Sequence, residues 1–311
     1  MKKSIFEKRI VVIILALTAT FLWGSAFPAI KLGYQYMHID GMDTAAQILF
    51  AGTRFTLAGL LTILLGSFTQ RKLLIPKKEN GGRIFKLSLF QTVIQYVFFY
   101  IGLANASGVK CSIMEATNVF AALIISSLIF KLEKIDVKKV LGCIIGFSGV
   151  VLANLNGGNI DAGFHLMGEG FIIISAISSG FSSVFIKKYS EYEDPVILSG
   201  YQFVCGGLLM IICGLLFGGR ITQPTGTGIM LLLWLAMVSA VAYSLWSILL
   251  KYNPVTRVAI FGFTNPIFGA FLSALFLGES DFLGVSAIVS LVLVSIGICM
   301  VNMTGKEDIQ N

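Results

Sequence analysis

The chain is poor in charge. Of its 311 residues only 13% are Asp, Glu, Lys or Arg, 56% are hydrophobic, and the mean hydropathy is +0.86. A soluble domain carries about a quarter charged residues. A surface of this size cannot be solvated with half that, so lipid must be part of the solvent. Histidine is nearly absent: His38 and His165 stand alone and make no metal site. The five cysteines, Cys111, Cys143, Cys205, Cys213 and Cys299, all fall inside apolar runs. They have neither metal-ligand nor disulfide spacing and read as small packing residues. No Walker loop, Ser/His/Asp set or Cys/His zinc pattern occurs, so neither ATP-driven work nor catalysis is expected, and no cofactor or metal. The net charge of +7 has no basic face interleaved with exposed aromatics behind it, which excludes nucleic acid as a partner. The basic residues lie between apolar runs, as in the cytoplasmic loops of a membrane protein.

What is present is length of apolar chain. Runs of about 20 residues, enough to span a bilayer as a helix, occur near 11–30, 44–66, 84–103, 109–130, 137–154, 166–187, 196–217, 228–250, 256–277 and 283–302. The connections 104–108 and 251–255 are so short that the helices they join must be antiparallel neighbours. With the N-terminus inside, 19 of the 23 lysines and arginines fall in inner segments and three (Lys31, Lys110, Arg220) in outer ones. That bias predicts a multi-pass protein of the plasma membrane with both termini cytoplasmic. The first apolar run has the look of a leader peptide. Yet its 23–31 stretch is echoed in part by 179–187, so it is read as a retained first span.

The chain also writes one stretch twice. An offset of 147 residues pairs Tyr96 with Tyr243, Phe99 with Trp246, Lys110 with Arg257, Thr117 with Thr264 and Asn118 with Asn265. Glu133 and Glu279 match after a slip of one residue. Spans of Leu, Ile, Val and Phe look alike by chance; a polar, basic and aromatic skeleton in register does not. The repeat reaches the second span, where Arg54-Phe55 matches Gln202-Phe203. Each half, 1–156 and 157–311, is therefore expected to hold five spans. Five is odd, so the halves cross the membrane in opposite senses. The predicted fold is an all-α integral membrane protein of ten transmembrane helices, built as two inverted five-helix repeats, the plan of many secondary transporters.

These residues resemble the drug/metabolite transporter superfamily, specifically its EamA-type ten-span members, over nearly the whole chain. The resemblance is carried by W-G-S-A-F at 23–27, R-F-x-L-A at 54–58, T-N-P-I-F-G-A at 264–270 and L-F-L-G-E at 275–279. It implies a transporter of small metabolites, often amino acids and more often an exporter. The family usually has a proline in the fourth span as in the ninth. Here Val119 stands where the ninth span has Pro266, so the first half is expected to lack one kink.

Glu115 is the sharpest single signal. It lies about two turns into the fourth span, at a depth where an ionisable residue costs at least ~2.5 kcal/mol and normally faces a cavity or a partner. Arg54 lies near the middle of the second span, within reach of Glu115 across parallel helices. Two readings stay open. Either Arg54 and Glu115 form a buried ion pair that holds two helices, or Glu115 titrates or meets a cationic group while Arg54 meets a carboxylate. In the second case Glu115 is the coupling candidate. Lys110 and Arg257, at the starts of matched spans, are gate candidates; the plainer alternative is interfacial anchoring. Trp23, Ser25, Gln91, Gln95, Tyr96, Tyr243 and Trp246 are candidate cavity residues. The alternative for the aromatics is packing or an interfacial belt. Asn118 and Asn265 are matched, and Pro266 follows Asn265. Thr264 and Asn265 either steady a kink or line the cavity, and Pro28 is expected to bend the first span. Glu133 and Glu279 read as caps or loop ion pairs, and Gly142-x-x-x-Gly146 as a site of close helix contact.

The function expected is movement of a small polar or zwitterionic solute by alternating access, with efflux of amino acids or related metabolites leading. Protons or a counter-solute are the candidate partners beside the substrate and the bilayer. Uptake or facilitated diffusion of a sugar, nucleoside or choline-like solute is the alternative within transport. An intramembrane enzyme is disfavoured by the lack of a nucleophile–base pair. A structural or sensor membrane protein is disfavoured because it needs no inverted repeat.

Overall fold

The computed structural model describes residues 4–105, 111, 114–155, 165–277 and 285–304. Among the described residues there is no strand. The helices are α1 (Arg9–Tyr36), α2 (Thr44–Thr69), α3 (Gly81–Ser88), α4 (Gln95–Asn105), α5 (Asn118–Ile124), α6 (Val137–Leu155), α7 (Phe171–Tyr189), α8 (Pro195–Leu216), α9 (Gly226–Tyr252), α10 (Val255–Ala259), α11 (Thr264–Leu277) and α12 (Val285–Thr304). A π-helical turn, Leu89–Ile94, splices α3 to α4, and a 3-10 turn, Ile260–Phe263, splices α10 to α11. Seven of the resulting rods are long and apolar enough to cross a membrane: Arg9–Tyr36, Thr44–Thr69, Lys78–Leu103, Leu166–Tyr189, Pro195–Leu216, Gly226–Tyr252 and Val255–Phe276. Asn118–Ile129 and Ile288–Met303 are shorter apolar helices. The chain is helical because hydrocarbon offers no partner for a backbone N–H or C=O, and a helix satisfies both within one segment. Side chains cap the starts: Asp43 Oδ1 accepts from Ala46 N (2.9 Å), Asp194 Oδ1 from Val196 N (2.7 Å) and Thr225 Oγ1 from Gly228 N (3.1 Å).

The most extensive helix contact joins α2 to α8, and the next joins α6 to α12. Lipid tails are as apolar as leucine, so membrane helices are held by close packing rather than by escape from water. Glycine supplies that closeness. Gly52, Gly59 and Gly66 on α2 and Gly200, Gly207 and Gly214 on α8 each recur every seven residues, a spacing that keeps them on one face. The two glycine faces meet antiparallel. A Cβ on Gly59 would lie 2.6 Å from Gly200 O and Val204 N; one on Gly207 would lie 2.5 Å from Thr56 N. In α6 and α12 the same close approach brings a Cβ on Gly142 to 2.9 Å from Gly297 O, as the 142–146 glycine pair predicted. The opposite faces carry large apolar side chains, among them Leu60, Leu64, Leu215 and Leu216, all exposed where acyl chains would lie.

α1 is one continuous helix through Pro28, and one expectation about bends changes. The fourth span, expected to lack a kink for want of a proline, is broken all the same, by a turn at Ala116–Thr117. At this break Met114 O accepts from both Thr117 N (3.0 Å) and Thr117 Oγ1 (2.5 Å), and at the break before α11 Phe261 O accepts from Thr264 N and Thr264 Oγ1 (2.7 Å). The two matched threonines thus bind the matched breaks in the same way, one with a proline behind it and one without. Pro266 sits in the first turn of α11, where its missing N–H costs nothing.

Outside the spans, Glu193 ties two loops together. Its carboxylate accepts from Lys77 N (2.9 Å), Asn80 Nδ2 (2.9 Å) and Asp194 N (3.2 Å). Burial pushes this carboxyl up, but those donors and the Lys77 charge outweigh burial and hold it below its ordinary value. A depressed carboxyl stabilises the fold above its unfolded pKa of about 4.3 and loses that contribution as pH falls through the folded value. The melting temperature in detergent should therefore drop on acidification below about pH 4.3, and Glu193→Gln should flatten that part of the curve. The glycine faces give a second expectation. Gly59→Leu should destabilise by about 1–3 kcal/mol through overpacking, whereas Gly41→Ala, with nothing within 4 Å of the added carbon, should leave thermal unfolding unchanged.

Candidate functional site

At the middle of the bundle four rings close a circuit. Phe55 (α2) lies 4.4 Å from Tyr96 (α4), centroid to centroid, and stacks on Phe203 (α8) at 5.2 Å. Phe203 meets Tyr243 (α9) edge-on at 4.8 Å. The Tyr96 and Tyr243 hydroxyls close the ring at 2.6 Å. Trp23 of α1 packs against Tyr243 at 4.8 Å and Trp246 at 4.9 Å. Phe55 and Phe203 are 148 residues apart, Tyr96 and Tyr243 147 apart. Matched residues of the two halves thus touch each other.

The polar groups follow the same offsets. Arg54 is only 3% exposed. Its Nε donates to Ser239 Oγ on α9 (3.1 Å), and its guanidinium lies 5.0 Å over the Phe55 ring. On the other side Thr92 Oγ1 donates to Gln202 Oε1 (2.7 Å). Gln202 matches Arg54, and Ser239 matches Thr92, so one scaffold is built twice and charged once. Nε being committed to Ser239, the Nη fork is the part of Arg54 suited to a carboxylate. The hydroxyls of Tyr34 and Tyr100 lie beside it. In the π-helical turn that carries Gln91, Phe90 O accepts from Ser178 Oγ of α7 (2.7 Å). Such a turn re-aims side chains and recurs at functional sites; here it buries both Gln91 and Gln95.

Glu115 sits just before the break in its helix. Its Oε2 is enclosed and has no hydrogen-bond partner among the described residues. Ser175 of α7 lies beside it, its own hydroxyl also unpaired. Trp23 Nε1, Gln91 Oε1, Gln202 Nε2 and Asn265 Oδ1 are likewise enclosed and unpaired. Each such atom costs about 1–3 kcal/mol, and a bare carboxylate costs more. Both Arg54 and Glu115 lie within electrostatic range of the Tyr96–Tyr243 pair. Together these groups surround one central region with a guanidinium, a carboxyl and a set of unspent donors and acceptors.

Of the candidates from the sequence, Trp23, Tyr96, Tyr243 and Trp246 are in ring or hydroxyl contact here, with Arg54 over the Phe55 ring; several other expectations shift. Arg54 and Glu115 form no ion pair; Arg54 turns to Ser239 instead. Ser25 spends its hydroxyl on Leu22 O (2.7 Å). Asn118 Oδ1 faces Gly262, the residue matched to Glu115. Arg257 Nε donates to Asn302 Oδ1 (3.1 Å). Lys110 and Glu279 lie outside the described residues. Sequence reasoning passed over Phe55, Phe203, Ser175 and Ser239. The repeat pairs Phe55 with Phe203 beside Arg54 and Gln202, and reading that pair as a contact, rather than as packing, is the step that brings them into the site.

An all-helical bundle with an unsatisfied polar centre is the frame of a membrane transporter. The sequence matches the EamA-like transporter family over residues 10–155 and again over 166–303, and the chain belongs to that family. A chloroplastic WAT1-related protein of Arabidopsis thaliana is 25% identical over 84% of this chain; the chain spans 62% of that protein's length. A protein of Chlamydia muridarum named as an S-adenosylmethionine/S-adenosylhomocysteine transporter is 23% identical, over 84% of this chain and 82% of its own. A solved crystal structure aligns with 96% of this chain and 99% of its own at a TM-score of 0.77 and 15% identity, a likeness of fold.

The tyrosine pair offers a direct check. Tyr96→Phe or Tyr243→Phe alone strands one buried hydroxyl and should cost about 1–3 kcal/mol, whereas the double variant should cost less than the sum of the two. Unfolding of the three variants in detergent measures the difference.

Proposed function

We propose that this transporter moves small polar or zwitterionic metabolites by alternating access, and that its leading role is efflux of amino acids or related metabolites. The observation that carries the reading is that Glu115 Oε2 is enclosed with no hydrogen-bond partner among the described residues, while the buried Arg54 bonds Ser239 and is not its ion-pair partner. Two opposite charges kept apart within a polar centre suit a solute with a carboxylate for Arg54 and an ammonium for Glu115. A bare carboxylate at that depth is relieved by a proton or by such a cation, which makes Glu115 the coupling candidate.

The architecture behind this reading is two inverted five-helix repeats, 1–156 and 157–311, with ten spans in a plasma membrane and both termini cytoplasmic. Three observations support it. The family match falls on two successive segments. The α2–α8 and α6–α12 contacts are antiparallel pairs of matched helices. The Arg54–Ser239 and Gln202–Thr92 bonds are one contact made twice. Halves of similar build in opposite orientation reach inward-open and outward-open states of similar energy around a fixed site. Arg257, steadied by Asn302, stands at the mouth of the ninth span as a gate candidate. A second reading, a larger cationic solute, is favoured by the Trp23, Tyr243 and Trp246 rings in the same centre and by the name of the Chlamydia relative.

Flux into sealed vesicles of purified protein, with and without a pH gradient, decides the matter over a panel of amino acids, amines, sugars and S-adenosylmethionine. An amino acid should move and accumulate with the proton gradient. Glu115→Gln should cut that flux about tenfold or more, the equivalent of ~1.4 kcal/mol, and abolish its pH dependence. Unchanged rate and pH dependence in that variant would sink the role given to Glu115.

A further inference from the structure

The short connection between α9 and α10, residues 251–256, is gripped from three sides at the Lys/Arg-rich end of the bundle. Glu133, in the loop before α6, sends Oε1 to Thr256 N (3.0 Å), while its Oε2 pairs with Lys139 Nζ (3.3 Å). Asn253 Nδ2 donates to Phe6 O (2.9 Å) ahead of α1, and the Phe6 ring stacks on Tyr252 at 5.4 Å. Lys187, at the end of α7, donates its ammonium to Lys251 O (3.0 Å) and Asn253 O (2.9 Å). The groups are not surface decoration: Glu133, Asn253 and Thr256 are all 9% exposed or less. A buried carboxylate placed on a backbone N–H is a strong bond whose loss strands a charge. The Glu133 and Phe6 bonds also join residues of the first half to residues of the second. Both therefore resist any movement of one half against the other at this end.

We propose that the 251–256 connection is the inner gate of the transport path and that Glu133 is the positioning residue that latches it shut. The proposal rests on the alternating-access reading. α10 begins at this connection and leads directly, through the 3-10 turn Ile260–Phe263, to the helix break at Thr264 and the unpaired Asn265. A gate that swings here moves the floor of the polar centre with it. Lys187 stays with the connection through two carbonyl bonds, so α7 travels with the gate, whereas the Glu133 and Phe6 bonds must break on each opening.

The test uses the full chain in sealed vesicles of either orientation, without any solute. Ser247 is buried, shares its hydroxyl with Ser199 (2.7 Å), and lies inward of the gate on α9. Ser247→Cys, in a background with Cys205, Cys213 and Cys299 replaced by alanine, is exposed to a membrane-impermeant maleimide from one face at a time. Adding Glu133→Gln should raise labelling from the Lys/Arg-rich face about tenfold, the effect of losing one charge-assisted bond, and leave labelling from the other face no higher. Asn253→Ala, which breaks the Phe6 link and leaves Glu133 intact, should act in the same direction and covers the case in which Glu133→Gln folds poorly. Labelling unchanged in both variants overturns the latch. Labelling raised equally from both faces overturns it too, since that is a loosened bundle. Solute flux through vesicles of the unaltered chain tests the alternating-access reading separately, so its failure there is not confused with failure of the latch.

Discussion

A carbonyl freed inside a membrane must find a donor within the protein, and the centre of this molecule depends on how that demand is met. A helix that breaks in hydrocarbon without compensation leaves groups costing several kcal/mol. Thr117 and Thr264 each add a hydroxyl to the carbonyl three residues back, and Ser178 of α7 donates to Phe90 O in the π-helical turn. Glu115, Asn118 and Asn265 stand beside the two threonine-bound breaks. Several side-chain polar atoms here have no partner among the described residues. Polar capacity left over in such a place suits a guest that comes and goes.

The two halves share a scaffold but not a charge. Gln202 holds the place of Arg54, and Gly262 the place of Glu115. Pairs of small or aromatic residues recur at offsets of 147 and 148 and make the same contacts twice, so packing is insensitive to which half is which. Chemistry is not. The two charged groups, Arg54 and Glu115, both belong to the first half, on α2 and on the broken helix before α5. A solute with head and tail of opposite charge would meet these groups in a fixed orientation while the surrounding helices exchange roles.

Much of this was legible in the residues. Seven of the ten apolar runs fall on rods long enough to cross a bilayer among the described residues, and two more on shorter apolar helices, because a bilayer sets the length of such runs. The repeat located Tyr96 and Tyr243, whose polar tips made them stand out among leucines. What the sequence hid was partnership. Arg54 and Glu115 lie at compatible depths, yet depth says nothing of rotation about the helix axis, and Arg54 faces Ser239 instead. The break at Ala116–Thr117 falls where no proline marks it, and a threonine there is no signal, since Thr53, Thr56 and Thr62 make a similar back-bond in unbroken helix. Phe55 and Phe203 stand out as a matched pair of the repeat, but among 25 phenylalanines a ring reads as packing and gives no sign of a site.

The antiparallel seam of α2 and α8 also bears on how the chain is made. Gly52 and Gly59 present a bare, narrow face whose mates, Gly207 and Gly200, lie 155 and 141 residues further along the polypeptide. At ordinary rates of synthesis, about 5–20 residues per second, that face waits on the order of ten to thirty seconds for its partner. Because the two faces carry the same heptad of glycines, the first is itself a fair match for another copy of α2. Neighbouring ribosomes on one message thus bring together surfaces able to pair wrongly, a form of domain swapping, and insertion one chain at a time protects against it.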